Sequence, residues 1–195
     1  MRVLVVFCHP SSGSFNAALH QRVLTVLRER GHEVDDCDLY AEGFDPVLRA
    51  EHWASYHEVP SNREPVRGYV ERLLHAQALV LVFPVWNFGL PAMLKGFFDR
   101  VLLPGVSFDM SDPRHLKPAL THLRHVVGVA TYGAPRWRLW WLGDGPRALV
   151  KRVMRRLTDG RARVDYLPCY HLNVAGPEVR AAFLQRVGVA MGRIA

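Results

Sequence analysis

The stretch Ala78-Leu-Val-Leu-Val-Phe83-Pro84-Val-Trp-Asn-Phe-Gly-Leu-Pro91 decides the fold. The apolar run 78–83 is too short for a buried helix and is rich in valine. It reads as a strand covered on both faces, as strands of parallel sheets are. Pro84 ends the run, and Pro91 suits the first turn of a helix. In the segment 91–102, Met93, Leu94, Phe97, Phe98, Val101 and Leu102 spread apolar surface around much of the helix, so it is buried on more than one side. A central strand, a loop and a buried helix therefore follow one another.

The same order repeats outward. Residues 3–7 form a β-branched-rich run, residues 9–13 a loop, and residues 14–30 a helix with Phe15, Ala18, Leu19, Val23, Val26 and Leu27 at helical spacing before a stop at Gly31. Residues 33–39 read as a more polar strand, suited to a sheet edge. The segment 45–65 carries Pro46, Pro60 and Pro65 and little periodicity, which implies an irregular excursion with a short helical turn. A helical pattern over 67–75 leads into the central strand. Beyond the buried helix come a fourth strand at 125–130, a helix at 145–157, a fifth strand from 163 to 167 or a little beyond, and a closing helix at 177–191. Alternating strands and helices with right-handed crossovers give an α/β, doubly wound parallel sheet with helices on both faces. The chain shows no internal repeat, low-complexity tract or linker, so residues 1–195 are expected to form one domain.

Lys and Arg number 25 against 18 Asp and Glu, for a net charge of +7. That balance admits nucleic acid, a membrane surface or an anionic cofactor, depending on where the cations fall. Cys8, Cys37 and Cys169 have no C-x-x-C spacing and leave an odd thiol, which argues against a disulfide framework or a cysteine-based zinc site and fits a reducing compartment. The N-terminus lacks the apolar length of a signal peptide. The uncharged run 78–94 is broken by Pro84, Asn87, Gly89 and Pro91, so a soluble, cytoplasmic protein is expected.

Ligands of open parallel sheets bind beyond the carboxyl ends of the strands. Three loops qualify. His9-Pro-Ser-Ser-Gly-Ser-Phe-Asn16 gathers three hydroxyls and the free amides of a helix N-terminus, which suits a phosphate as well as a simple N-cap by Ser14. It is neither a P-loop nor a G-x-G-x-x-G turn. Residues 143–148 match the latter loosely, but no buried strand leads into them. Pro84-Val-Trp-Asn-Phe-Gly-Leu-Pro91 offers aromatic rings and an amide, against which a planar ring system could lie or which could merely cap the core. Thr131-Tyr-Gly-Ala134, which opens the loop 131–141, adds a hydroxyl and a small flexible turn. All three converge on one crevice.

His9-Pro10 with Ser14-Phe15-Asn16, then Phe83-Pro-Val-Trp-Asn-Phe-Gly-Leu-Pro-Ala-Met-Leu-Lys-Gly96, then Thr131-Tyr-Gly-Ala134 together resemble the NAD(P)H:quinone oxidoreductase family of flavodoxin-like flavoproteins. The most specific part is Pro91-Ala-Met-Leu-Lys-Gly-Phe-Phe-Asp-Arg-Val101. The resemblance covers residues 1–135 in order; the last third agrees in length and pattern more than in motif. It implies a flavodoxin-like, five-stranded sheet of order 2-1-3-4-5. It also implies a bound flavin, FAD favoured over FMN, reduced by NAD(P)H and reoxidised by a quinone or similar acceptor in a two-electron ping-pong cycle. By match to the motifs, His9, Ser14, Phe15 and Asn16 would hold the phosphate and ribityl chain. Pro84, Val85, Trp86, Asn87 and Phe88 would line the ring, and Thr131, Tyr132, Gly133 and Ala134 would close over it. A homodimer with the site at the subunit boundary is implied, with the helix 91–102 as a contact surface.

Better-known members carry a tyrosine and a histidine after this point, where this chain has Pro135-Arg-Trp-Arg-Leu-Trp-Trp-Leu142. Since the flavin carries the chemistry, the candidates for a catalytic part are Asn87, Tyr132 and Arg136. Arg136 or Arg138 would neutralise reduced flavin or grip a nicotinamide phosphate, and the three tryptophans would roof the pocket or form an interface patch. Arg147, Lys151 and Arg155 fall on one helical face, a solvated cationic surface by default, without the accompaniments of nucleic-acid recognition. This leaves open a peripheral membrane or transporter contact. An alternative from another class is a regulatory flavoprotein subunit of a potassium-efflux type transporter. No metal is expected: His122 and His125, and His52 and His57, lack a completing carboxylate or thiol set. Cys8 reads as a packing residue of the first strand.

Overall fold

Side chains alternate across a strand, so a sheet covered on both faces divides its apolar residues between two cores. The computed structural model, which describes residues 1–112 and 114–194, shows this division. Strands β1 (Arg2–Phe7), β2 (Glu33–Asp38), β3 (Ala78–Val85), β4 (His125–Tyr132) and β5 (Arg163–Cys169) form an all-parallel sheet in the order β2-β1-β3-β4-β5. This is the expected order 2-1-3-4-5. The helices are α1 (Phe15–Glu29), α2 (Arg67–His75), α3 (Ala92–Val101), α4 (Arg136–Leu142), α5 (residues 145–157) and α6 (Pro177–Met191).

Val3, Val5, Val80, Val82, Val127 and Val129 pack with Leu19, Val23 and Leu27 of α1 and Phe183 and Val187 of α6. The residues between them, including Leu4, Val6, Leu79, Leu81 and Val126, pack with Leu73 of α2, Phe97 and Val101 of α3, Leu139 of α4 and Met154 of α5. Polar β2 lies at an edge, where Arg72 of α2 reaches Asp35 at 2.7 Å and Glu42 at 2.8 Å.

The excursion before α2 contains a helical turn, Ala50–Ala54, and a 3-10 turn, Ser61–Val66. Its start is clamped on α3: a Cβ on Gly96 would lie 2.3 Å from the Pro46 carbonyl oxygen, so the two backbones meet only because that position is glycine. Close by, Arg100, 6% exposed, lies 3.7 Å from the Asp45 carboxylate.

Several features differ from the sequence expectation. Strand β3 runs through Pro84 to Val85. Residues 136–142, read as loop, form α4. Pro91 is the N-cap of α3, with φ −55° and ψ 142°, instead of a residue of its first turn. A small ladder joins Phe108–Asp109 to Lys117–Pro118. In α5 the part Leu149–Met154 is a π turn, which interrupts the α-helical spacing that aligned Arg147, Lys151 and Arg155. The contact surface expected on the helix 91–102 is largely used internally, since Leu94, Phe97, Phe98 and Val101 are buried in the chain's own core. Among the described residues no helix is long and apolar enough to cross a membrane.

Candidate active site

The carboxyl ends of β1, β3, β4 and β5 open on one side of the sheet. After β1 the chain turns through Ser11, Ser12 and Gly13 to Ser14, whose Oγ accepts from the Ala17 amide at 3.1 Å and starts α1. The His9 ring is fixed across this loop: the Ser11 amide donates to its Nδ1 at 3.0 Å, and the ring meets Trp86 edge-on at 5.8 Å. Two residues into α1, Asn16 is 3% exposed and its Nδ2 donates to Thr131 Oγ1 at 2.8 Å, tying α1 to the end of β4. Asn16 Oδ1 is buried and has no donor among the described residues.

After β3, Trp86 and Gly89 exchange backbone hydrogen bonds of 3.2 and 2.8 Å around Asn87 and Phe88, with φ of 48° and 60°. Two left-handed residues make this a type I′ turn. Asparagine tolerates the conformation, whereas phenylalanine adopts it at a cost of about 1–2 kcal/mol. The turn keeps Phe88 45% exposed and Trp86 41% exposed at the mouth of the crevice.

These loops enclose a cavity of about 560 Å³ above Asn16 and Thr131, walled by His9, Trp86, Asn87 and Asn173. It continues past Val85 and Gly133 into a recess of about 470 Å³ bordered by Phe88, Ala134, Arg138, Leu139 and Val174. On the other side of His9 a groove of about 760 Å³ runs between α1 and the end of β2, past Ser12, Ser14, Asp36, Asp38 and Tyr40. There His20 stacks on Phe7 at 4.3 Å and approaches Asp36 at 2.8 Å.

Of the residues singled out in the sequence, His9, Asn16, Pro84, Val85, Trp86, Asn87, Thr131 and Gly133 line the cavity, Phe88, Tyr132 and Ala134 line the recess, and Ser14 lines the groove. Phe15 instead turns its ring to Phe183 of α6 at 6.4 Å. Tyr132, although it borders the recess, is 1% exposed, and its hydroxyl donates to Asp144 Oδ1 at 2.7 Å and shares a hydrogen bond with Tyr166. Burial pushes the Tyr132 and Tyr166 hydroxyls well above the usual phenol range, so both stay protonated. Arg136 is exposed on α4; its neighbour Arg138 is the arginine that borders the recess. Burial also pushes the Cys8 thiol up to about 12, which makes it a packing group. Among the described residues no three His, Cys, Asp or Glu side chains are placed to hold a metal ion.

The loop after β5 went unread in the sequence. Leu172 and Asn173 wall the cavity, and the His171 amide donates to the Ala134 carbonyl at 3.0 Å, fixing the neighbouring loop. Gly133 makes room for this wall, because a Cβ there would lie 2.9 Å from Asn173 Nδ2. The signal was topological: the loop after every parallel strand opens on the same side.

A family model described as the flavodoxin-like fold matches residues 1–178. The chain belongs to the flavodoxin-like fold family. Its curated relatives include an uncharacterized NAD(P)H oxidoreductase, YcaK, of Escherichia coli, 36% identical over 112 residues, or 55% of either chain. They also include NAD(P)H dehydrogenase [quinone] 1 of Cavia porcellus, 32% identical over 149 residues, covering 68% of this chain and 54% of the relative. The flavodoxin-like chain thus spans about half the length of the curated relatives it matches. Among solved structures, Smu.1420 of Streptococcus mutans superposes with a TM-score of 0.86 at 27% identity over the whole of both chains. An NAD(P)H:quinone oxidoreductase of Methanothermobacter marburgensis gives 0.83 at 24% identity, over 100% of this chain and 99% of that one, a likeness of fold.

Proposed function

We propose that the chain is a flavin-dependent NAD(P)H oxidoreductase that reduces quinones or similar small acceptors by two-electron hydride transfer. The observation that carries this reading is the orphaned Asn16 Oδ1 at the floor of the cavity between the serine loop and the Asn87-Phe88 turn. A buried acceptor without a donor costs about 1–3 kcal/mol. A ribityl hydroxyl is a suitable donor, and relatives named NAD(P)H oxidoreductase and NAD(P)H dehydrogenase [quinone] 1 support the assignment.

A bound flavin would supply the hydride chemistry. The chain's own groups position and shield it. His9, the Ser12 and Ser14 hydroxyls and the free amides at the start of α1 would hold a phosphate. Asn16 and Thr131 would hold the polyol chain. The backbone of residues 84–88, with Gly133 and Ala134, would border the ring. Phe15 and Tyr132 act from beneath, anchoring α1 on α6 and β4 on Asp144. Val85, Phe88, Leu139 and Val174 give the acceptor recess an apolar border, and Arg138 presents a cation suited to a nicotinamide phosphate. A recess of about 470 Å³ would take donor and acceptor in turn, a ping-pong order. The groove beyond His9 gives room for an adenylyl half, so FAD is favoured over FMN.

Purified protein is expected to be yellow, to retain flavin through gel filtration after soaking with both FAD and FMN, and to oxidise NAD(P)H when menadione is present. Asn16→Ala is expected to weaken flavin retention about tenfold, the equivalent of roughly 1.4 kcal/mol. Colourless protein that takes up neither flavin and leaves the nicotinamide unoxidised overturns the proposal. It includes a cytoplasmic homodimer, checked by light scattering and cell fractionation. The cationic α5 favours a second reading, a regulatory flavoprotein subunit of a potassium-efflux type transporter. Stoichiometric co-purification of a transporter, lost in Arg152→Glu/Arg156→Glu, would establish it.

A further inference from the structure

We propose that α4 and α5 dock the protein on an anionic lipid surface. Trp137, Trp140 and Trp141 lie three and four residues apart, on one flank of α4, and are 66%, 82% and 77% exposed; Leu139, pointing the opposite way, is 1% exposed and anchors the helix in the core. Leu142, next along the chain, is 46% exposed. Indole rings on an amphipathic helix partition to the boundary between headgroups and acyl chains, where the ring is sheltered and its N–H stays solvated.

Charge selects the kind of surface. Residues 136–157 contain seven Arg and Lys, all on exposed residues, and a single carboxylate, so six of the chain's seven excess positive charges fall in this one stretch. That carboxylate, Asp144, faces inward, accepting from Tyr132 at 2.7 Å and Tyr170 at 3.4 Å. Cations beside interfacial tryptophans match anionic headgroups. A second copy meeting this patch across a twofold axis would add another seven cations and only one carboxylate to the contact, a like-charge pairing that anionic headgroups relieve. A nucleic acid would need a groove in which bases stack, whereas these rings stand out from a helix flank. Arg138 and Leu139 also border the acceptor recess together with Phe88 and Val174, the latter 69% exposed, so the apolar rim is continuous with α4.

Flotation of the full-length protein with vesicles of equal parts phosphatidylcholine and phosphatidylglycerol, and with phosphatidylcholine vesicles, tests the proposal. The expected result is binding to the anionic vesicles with a blue shift of tryptophan emission, reversed by high salt. Trp140→Ser/Trp141→Ser should reduce partitioning about tenfold or more while leaving the circular dichroism melt unchanged. Arg136→Glu should reduce it about fivefold or more. Should the double variant fail to fold, the charge variant and the salt dependence still decide. Absence of binding to the anionic vesicles, equal binding to both vesicle types, retention on a single-stranded oligonucleotide in place of vesicles, or a dimer that the double variant converts to monomer would each overturn the proposal. The assay uses neither flavin nor nicotinamide, so its outcome is separate from that of the proposed activity.

Discussion

Neighbouring residues of a strand point to opposite faces, so Thr131 meets Asn16 on the α1 side while Tyr132 enters the core beneath α4 and α5. Thr131→Val deletes the acceptor of the 2.8 Å bond and leaves the Asn16 amide without a partner in a buried position. The expected cost is about 1–3 kcal/mol, seen as a Tm lowered by several degrees together with weaker flavin retention. Thr131→Ser keeps the hydroxyl and should retain most of both. The period-two pattern that separates Thr131 from Tyr132 was legible in the sequence, because the valines flanking them already fix which face is which. What composition could not convey is that Phe15, in the same motif as Asn16, faces Phe183 across 160 residues and more of chain; that contact exists only once α6 has folded back beside α1.

Helix packing separates two glycines that look alike in sequence. At Gly96 of α3 a methyl group would collide with backbone and ring atoms of Pro46 at 2.3 to 2.5 Å, none of which can swing aside. At Gly188 of α6 it would meet the guanidinium end of Arg22 at 2.7 Å, and that end is free to move. Gly96→Ala should therefore destabilise by about 1–3 kcal/mol, and Gly188→Ala should be neutral or stabilising by up to about 1 kcal/mol through helix propensity. Paired thermal melts check the contrast. Strands β1, β3 and β4 were readable because each valine-rich run is short and covered on both sides, and β2 because its polar composition suits a sheet edge. Helix α4 was not, for its seven residues fall short of two helical turns and its largest apolar side chains face solvent, the reverse of the pattern by which helices are recognised.

Across the whole molecule, buried thiols and phenols make alkaline stability the informative measurement. Burial pushes Cys8 and Cys37 up to about 12. In the unfolded chain the same thiols ionise in their ordinary range, near roughly 8.5. Between those values the unfolded state has released protons that the folded state keeps. Stability is thus intact below the ordinary thiol range and falls as pH climbs toward 12, by about 1.4 kcal/mol per pH unit for each thiol. Melts at increasing alkaline pH should show Tm falling, with a shallower slope in Cys37→Ala. At this scale, too, the +7 charge acquires a location: the sequence showed that cations crowd the last third, while their position beside an exposed tryptophan flank depends on α4, which only the folded chain displays.

The π turn Leu149–Met154 gives α5 one residue of slack. Both ends of this helix are fastened independently of its length: Asp144 accepts from the Arg147 amide at 3.3 Å, and the Leu157 carbonyl accepts from the Leu120 amide at 3.1 Å. Deleting Arg152 would let the turn tighten into ordinary α-helix between fixed ends, with a Tm within a few degrees of the parent, about the effect of 1 kcal/mol. The same deletion in α3 would rotate Phe97, Phe98 and Val101 off the core. The cationic flank of the protein is accordingly the part of its surface whose length and angular pattern can drift through single-residue insertion and loss while the sheet and its crevice stay in place.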